Sequence, residues 1–77
     1  MEKVLSFDSS VYSLEVIKKT GYRFSNICDV VFQIQDKKVD CVFTLSDKFT
    51  TEQVEKFESE FKKTLLDQDL REIIRNE

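Results

Sequence analysis

The hydrophobic positions along this chain alternate between two periods. Val4-Leu5-Ser6-Phe7 repeats every second residue with Leu5 and Phe7 on one face, which predicts a short strand. Asp8-Ser9-Ser10 follows, and side chains of these types bond nearby backbone amides, so the chain turns there. The period then lengthens. Leu14, Ile17, Gly21 and Phe24 stand at i, i+3, i+7 and i+10, the stripe of a helix capped by Ser10 or Ser13 and running to about Ser25-Asn26. Gly21 is the lone glycine, and it costs a helix about 1 kcal/mol relative to Ala. Its place inside the stripe predicts a close approach between helix and sheet.

Period two returns in the middle of the chain. Val30, Phe32 and Ile34 alternate with Val31, Gln33 and Gln35, and Val39, Cys41, Phe43 and Leu45 alternate with Asp40, Val42 and Thr44. Two runs with one more polar face each predict a half-buried antiparallel hairpin. Residues that share a face must oppose each other. A two-residue loop at Lys37-Lys38 sets Ile34 opposite Cys41, and a four-residue loop sets Phe32 there. Either register keeps Cys28 too far from Cys41 for a disulfide.

The second helix is announced by Thr50-Thr51-Glu52-Gln53, a capping box with Thr50 as N-cap and Gln53 reaching back; Phe49 and Val54 flank it as a hydrophobic staple. Val54, Phe57, Phe61 and Leu65 then form a narrow apolar stripe. At about 100° per residue, the next apolar set (Leu66, Leu70, Ile73 and Ile74) is rotated by roughly 160° from it. One straight helix cannot point both sets at one core. Either the helix breaks near Asp67-Gln68-Asp69, with Asp69 and Glu72 forming a new cap, or it extends and the second set faces something else.

The order strand, helix, strand, strand, helix predicts a single α+β domain over residues 1–77, a small three-stranded sheet with helices on one face. Phe7, Phe24, Phe32, Phe43, Phe57 and Phe61 would meet in its core. A helix joining the first two strands implies that they run parallel, with a right-handed crossover. This is most of a ferredoxin-like unit without its last strand, and the edge so exposed is a site for strand pairing.

Composition narrows the function. A 77-residue chain of this size has a core worth only about 3–5 kcal/mol, so a partner is one means of support. The net charge of −3 gives no basic footprint for nucleic acid. Lys18, Lys19 and Arg23 on one helix, with Lys37 and Lys38 in a turn, read as solvated surface. No apolar run approaches the length of a membrane span, and Met1-Glu2-Lys3 leads straight into a strand without a signal peptide, so the expected location is the cytoplasm.

Chemistry is scarce. The chain has no His and two Cys, which excludes Ser-His-Asp and Cys-His catalysis and a four-ligand zinc site of the usual kind. Cys28 and Cys41 read as small apolar core residues. No glycine-rich loop offers a phosphate cradle, and two thiols cannot hold an iron–sulfur cluster. Hence no catalytic residue, cofactor or metal is expected. Glu52, Glu55, Glu58 and Glu60 read as the wet side of the second helix beside Lys56, Lys62 and Lys63, with Glu58 and Lys62 an i, i+4 pair. The polar cluster Asp67-Gln68-Asp69-Leu70-Arg71 reads either as a helix junction or as a docking surface in which Asp67, Gln68 and Arg71 contact another protein. Leu66, Leu70, Ile73 and Ile74 supply its apolar part. Tyr22 and Arg23, late in the first helix, either belong to that surface or cover the core's rim.

The stretch Phe61-Lys62-Lys63-Thr64-Leu65-Leu66-Asp67-Gln68-Asp69-Leu70-Arg71-Glu72-Ile73-Ile74 resembles the C-terminal signature of the HxsD proteins of the His-Xaa-Ser system. Tyr22-Arg23-Phe24 and the early Phe7-Asp8 with Val11-Tyr12-Ser13 are also similar to that family, and Leu-Leu-Asp-Gln-x-Leu-Arg is its most specific portion. Lys63-Thr64 stands where the family usually has Asn-Glu, and family members tend to continue past the position of Glu77. The resemblance implies a small accessory protein acting beside a radical S-adenosylmethionine enzyme and a His-x-Ser peptide. It points to a non-catalytic protein that presents the peptide or docks on the enzyme. A small homodimeric interaction domain is the alternative, and an enzyme with a Cys28 or Cys41 nucleophile is a third reading.

Overall fold

The computed structural model describes the backbone of residues 1–75 and the side chains of residues 1–74. The elements follow the order β1 (Glu2–Asp8), α1 (Leu14–Arg23), β2 (Asp29–Gln35), β3 (Lys38–Thr44) and α2 (Thr51–Arg75). The sheet order is β1-β3-β2, and both outer strands run antiparallel to β3. The strands flanking α1 therefore share a direction, as expected, but β3 is inserted between them. This leaves an α+β fold with two free sheet edges, one on β1 and one on β2.

Strand β1 begins two residues before the predicted Val4. Its extension is held by Met1, whose amino group and carbonyl bond the carbonyl and N–H of Leu45 at 3.1 and 2.7 Å. The hairpin places Phe32 opposite Cys41 and Ile34 opposite Val39. That is the register expected of a longer loop, yet Gln35 still pairs with Lys38 and the turn is only Asp36-Lys37. Lys38 is thus strand, not turn. Asp36 makes the tighter turn possible with a φ of 56°, in the left-handed region that Asp tolerates better than most residues.

Helix α1 starts at Ser13, whose hydroxyl accepts from the Val16 N–H at 3.2 Å; Ser10 instead donates to the Asp8 carboxylate. Gly21 performs the role its position predicted. A Cβ there would lie 2.4 Å from the tip of the Phe32 ring, so only glycine lets α1 settle this close to β2. Val16, Ile17 and Thr20 complete the buried face, and the Thr20 hydroxyl is satisfied by the Val16 carbonyl at 2.8 Å.

The core is built on aromatic edges. Phe43 packs against Phe57 and Phe61 at centroid distances of 5.1 and 4.9 Å, both T-shaped. Phe24 meets the same two rings from the C-cap of α1, and Phe7 meets Phe61 from β1. Phe43, Phe57 and Phe61 are buried, whereas Phe7, Phe24 and Phe32 are half-buried against them. Cys28 and Cys41 are free and buried in this cluster.

Helix α2 opens with the predicted capping box in both halves. The Gln53 N–H donates to Thr50 Oγ1 at 3.1 Å, and the Thr50 N–H donates to Gln53 Oε1 at 2.9 Å. Of the two readings open at Asp67-Asp69, a break or an extension, the extension holds: α2 runs unbroken through Arg75. Asp69 and Glu72 therefore form no second cap. No Gly or Pro interrupts residues 51–75, and a break would release backbone groups that the helix already pairs. The i, i+4 contacts Asp67–Arg71 (3.0 Å) and Gln68–Glu72 (3.1 Å) also span the suspected junction. At about 37 Å, α2 is much longer than a strand of about 23 Å. Its last turns overhang the sheet, in keeping with the 43 × 25 × 18 Å extents. Among the described residues, no helix is long and apolar enough to cross a membrane.

Candidate functional site

Val54, Phe57, Phe61 and Leu65 all point from α2 into the core and are buried. A continuous helix then has no choice about the second apolar set. Leu66, Leu70, Ile73 and Ile74 emerge on the opposite side, with 50%, 51%, 52% and 71% of their surface exposed. Beyond Leu65 the core-facing stripe continues as half-buried Gln68 and Glu72, and Glu72 meets Lys19 of α1.

Polar contacts fasten that overhang to α1. Lys19 Nζ reaches Glu72 Oε1 at 2.7 Å and Glu15 Oε1 at 3.1 Å. The Glu72 hydrogen bond, then the Glu15 one, hold the Lys19 ammonium above its ordinary pKa. Gln68 donates to the same Glu72 oxygen. One turn nearer the core, the Asp67 carboxylate stands between two guanidinium groups, Arg71 at 3.0 Å and Arg23 at 3.9 Å. The structure thereby joins Asp67, Gln68, Arg71 and Arg23 into one polar border beside the exposed apolar face. Tyr22 is separate. Its ring is exposed but makes a T-shaped contact with Phe32 at 6.3 Å, on the β2 side of α1.

Sequence reasoning passed over Lys19 and Glu72 as partners. They lie 53 positions apart, and only the antiparallel packing of the two helices brings them together. Glu58 also departs from expectation. It does pair with Lys62 at 3.3 Å, but it is half-buried and bonds Lys3 of β1 at 3.2 Å. The Lys3 bond, reinforced by Lys62, holds its carboxyl below the usual range.

The Asp67 carboxylate is committed to two guanidinium groups, those of Arg71 and Arg23, and the Glu72 carboxylate to Lys19 and Gln68. The thiols are ill-suited to attack. Burial pushes Cys28 up and Cys41 up to about 12, where the thiolate is scarce at neutral pH. Among the described residues, no group of three or more His, Cys, Asp or Glu side chains is placed to hold a metal ion. A shallow groove of about 480 Å³ lies elsewhere, at the hairpin end, lined by Ser6, Phe7, Asp8 and the 35–38 turn. Its Asp8 carboxylate is taken up by the N–H and hydroxyl of Ser10 at 2.8 and 2.6 Å, which also hold it below its ordinary pKa.

Neither a curated protein nor a solved structure matches the chain. A family model does, that of His-Xaa-Ser system protein HxsD, and it matches residues 7–77. Those bounds take in α1, the hairpin, all of α2 and the polar border just described, so the chain belongs to the HxsD family of the His-Xaa-Ser system.

Proposed function

We propose that this protein is a non-catalytic accessory protein of its system, which docks on a radical S-adenosylmethionine modifying enzyme or presents a His-x-Ser peptide to it. The outer face of α2 beyond Leu65 is the contact surface. One observation carries this reading: four large aliphatic side chains, Leu66, Leu70, Ile73 and Ile74, are half or more exposed on one helical face. A contiguous apolar patch rimmed by polar groups is the usual mark of a protein-binding site. Asp67 and Arg71, with Arg23 beside them, supply the charged rim that fixes orientation. Family membership supports the choice of system, and the shortage of catalytic groups supports a helper's role.

The test is a titration of the purified chain against a radical S-adenosylmethionine enzyme of the His-Xaa-Ser system and, separately, against a His-x-Ser peptide. Micromolar or tighter binding to one of them is expected. Leu70→Lys and Ile73→Lys should each weaken it by at least about tenfold, or 1.4 kcal/mol, while leaving the melting curve nearly unchanged. Absence of binding to both at micromolar concentration would remove the proposal.

A further inference from the structure

The two edges of the sheet are built very differently. Along β1, Glu2, Lys3 and Asp8 are charged, and Lys3 lies on the helix-facing side, reaching Glu58. An inward-pointing charge on an edge strand is a known guard against unwanted pairing. The β2 edge has no such guard. Asp29 is the one charge of β2, at its first position, and Val30-Val31-Phe32-Gln33-Ile34-Gln35 after it carries neither charge nor proline, in a chain that is 35% charged. Val31 and Ile34 are exposed by 56% and 52%.

The backbone of this edge is also directed outward. Leu45 bonds Met1, and the Ser9 N–H bonds the Lys37 carbonyl, so the odd-numbered residues of β3 serve β1. The even-numbered ones serve β2, which fixes Asp29, Val31, Gln33 and Gln35 as the inward-bonding residues of that strand. Val30, Phe32 and Ile34 therefore direct their N–H and C=O groups away from the sheet.

We propose that β2 pairs antiparallel with β2 of a second copy of this chain, joining two sheets into one of six strands. The register centred on Phe32 is the one that uses all three outward residues of both strands. It sets Phe32 opposite the partner's Phe32 and Val30 opposite the partner's Ile34. Val31 then faces the partner's Gln33, and Asp29 the partner's Gln35. No like charges oppose one another. The ends are complementary as well, because each Asp29 lies beside the end of the partner's hairpin that carries Lys37 and Lys38. A parallel arrangement would instead bring like ends together. Tyr22, exposed and packed edge-on against Phe32, adds an aromatic group beside the seam. This pairing uses none of the apolar residues of α2 and stands independently of the function proposed above.

Sedimentation of the full chain should give twice the 9.1 kDa mass at tens of micromolar. Ile34→Lys places a charge on the seam and should raise the dissociation constant at least about tenfold. Gln33→Lys, on the exposed outer face, is the second variant should Ile34→Lys melt early. The register is read by combining Val31→Cys with Gln33→Cys. These positions form a non-hydrogen-bonded pair across the seam, the closer kind, so mild oxidation should link two chains covalently. A wild-type chain that sediments as a monomer throughout would overturn the proposal. So would a dimer that survives both lysine variants but dissociates with Leu70→Lys, or a dimer in which the cysteine pair fails to cross-link.

Discussion

At the scale of single residues, Gly21 and Cys41 show how tightly this small core is specified. Gly21→Ala gains about 1 kcal/mol of helix propensity. It also drives a methyl group against the Phe32 ring, and overpacking of this kind costs about 1–3 kcal/mol. The net effect is expected to be destabilising, and urea denaturation will read it. Truncating the obstruction should reverse the sign, so Gly21→Ala in a Phe32→Leu background is expected to be neutral or stabilising. Equal costs in both backgrounds would show that the ring is not the obstacle. Cys41 makes a second, chemical statement. Its thiol is raised by burial, and then by the Asp40 charge, from 9.0 to about 12. Below pH 9 the thiol is protonated in both folded and unfolded chains and adds no pH dependence. Between pH 9 and 12 the unfolded chain gives up the proton while the folded one keeps it, so stability falls as pH rises. One proton sets a limit of about 1.4 kcal/mol per pH unit. Because Lys and Tyr titrate in the same range, the measurement is the difference between wild type and Cys41→Ala. The two stability profiles should converge as pH climbs through this window, and parallel profiles would refute the assignment.

At the scale of elements, what was legible in the sequence was whatever local chemistry determines. Thr50 and Gln53 announce the start of α2 by themselves, because both partners of the capping box lie within one turn. Alternation gave both hairpin strands, and the helical stripe with Gly21 gave α1. The hairpin turn was less legible. Placing it at Lys37-Lys38 overlooked the left-handed conformation that Asp36 adopts, although Asp is among the few residue types that favour it. In α2 the pattern alone left a break and an unbroken extension both open, and the structure decides for the extension. Rotation of the apolar stripe signals a change of surroundings, and a long helix can leave its sheet without bending. The adjacent pair Leu65 and Leu66 makes that point measurable. Leu65 is 1% exposed and Leu66 is 50% exposed. Leu65→Ala is expected to cost about 2–5 kcal/mol, and Leu66→Ala no more than about 0.5 kcal/mol. Similar losses at both positions would mean that α2 does not present these residues to opposite sides. Eight of the nine candidate contact residues lie together, because seven of them share the end of α2 and Arg23 reaches Asp67 from α1. Tyr22 was harder to place, since only the tertiary packing reveals that it turns toward β2.

At the scale of the whole molecule, the protein consists of a well-packed body and a projecting arm, and they differ in what holds them. The body has Phe43, Phe61, Ile17 and Leu65 at its centre. From Leu66 to Ile74 the arm contains no buried residue, and what ties it to α1 is chiefly charge: Lys19 to Glu72, and Arg23 to Asp67. Contacts of this type are worth little in a body stabilised by apolar burial, about 0–1 kcal/mol each. They count for more where burial contributes nothing, because local opening of a helix end requires only a small free energy. The Lys19 and Glu72 side chains retain 37% and 17% exposure, so the pair is shielded in part from solvent and salt. Lys19→Ala should therefore act on the arm and spare the body. Amide hydrogen exchange from Gln68 to Ile74 is expected to quicken by roughly three- to fivefold. Exchange from Val54 to Phe61 should stay unchanged, and raised salt should reproduce part of the effect in the wild-type chain. Uniform quickening along all of α2 would mean that the helix opens as one unit. An arm that opens alone would instead let a partner settling on Leu70 and Ile73 order the last turns as it binds.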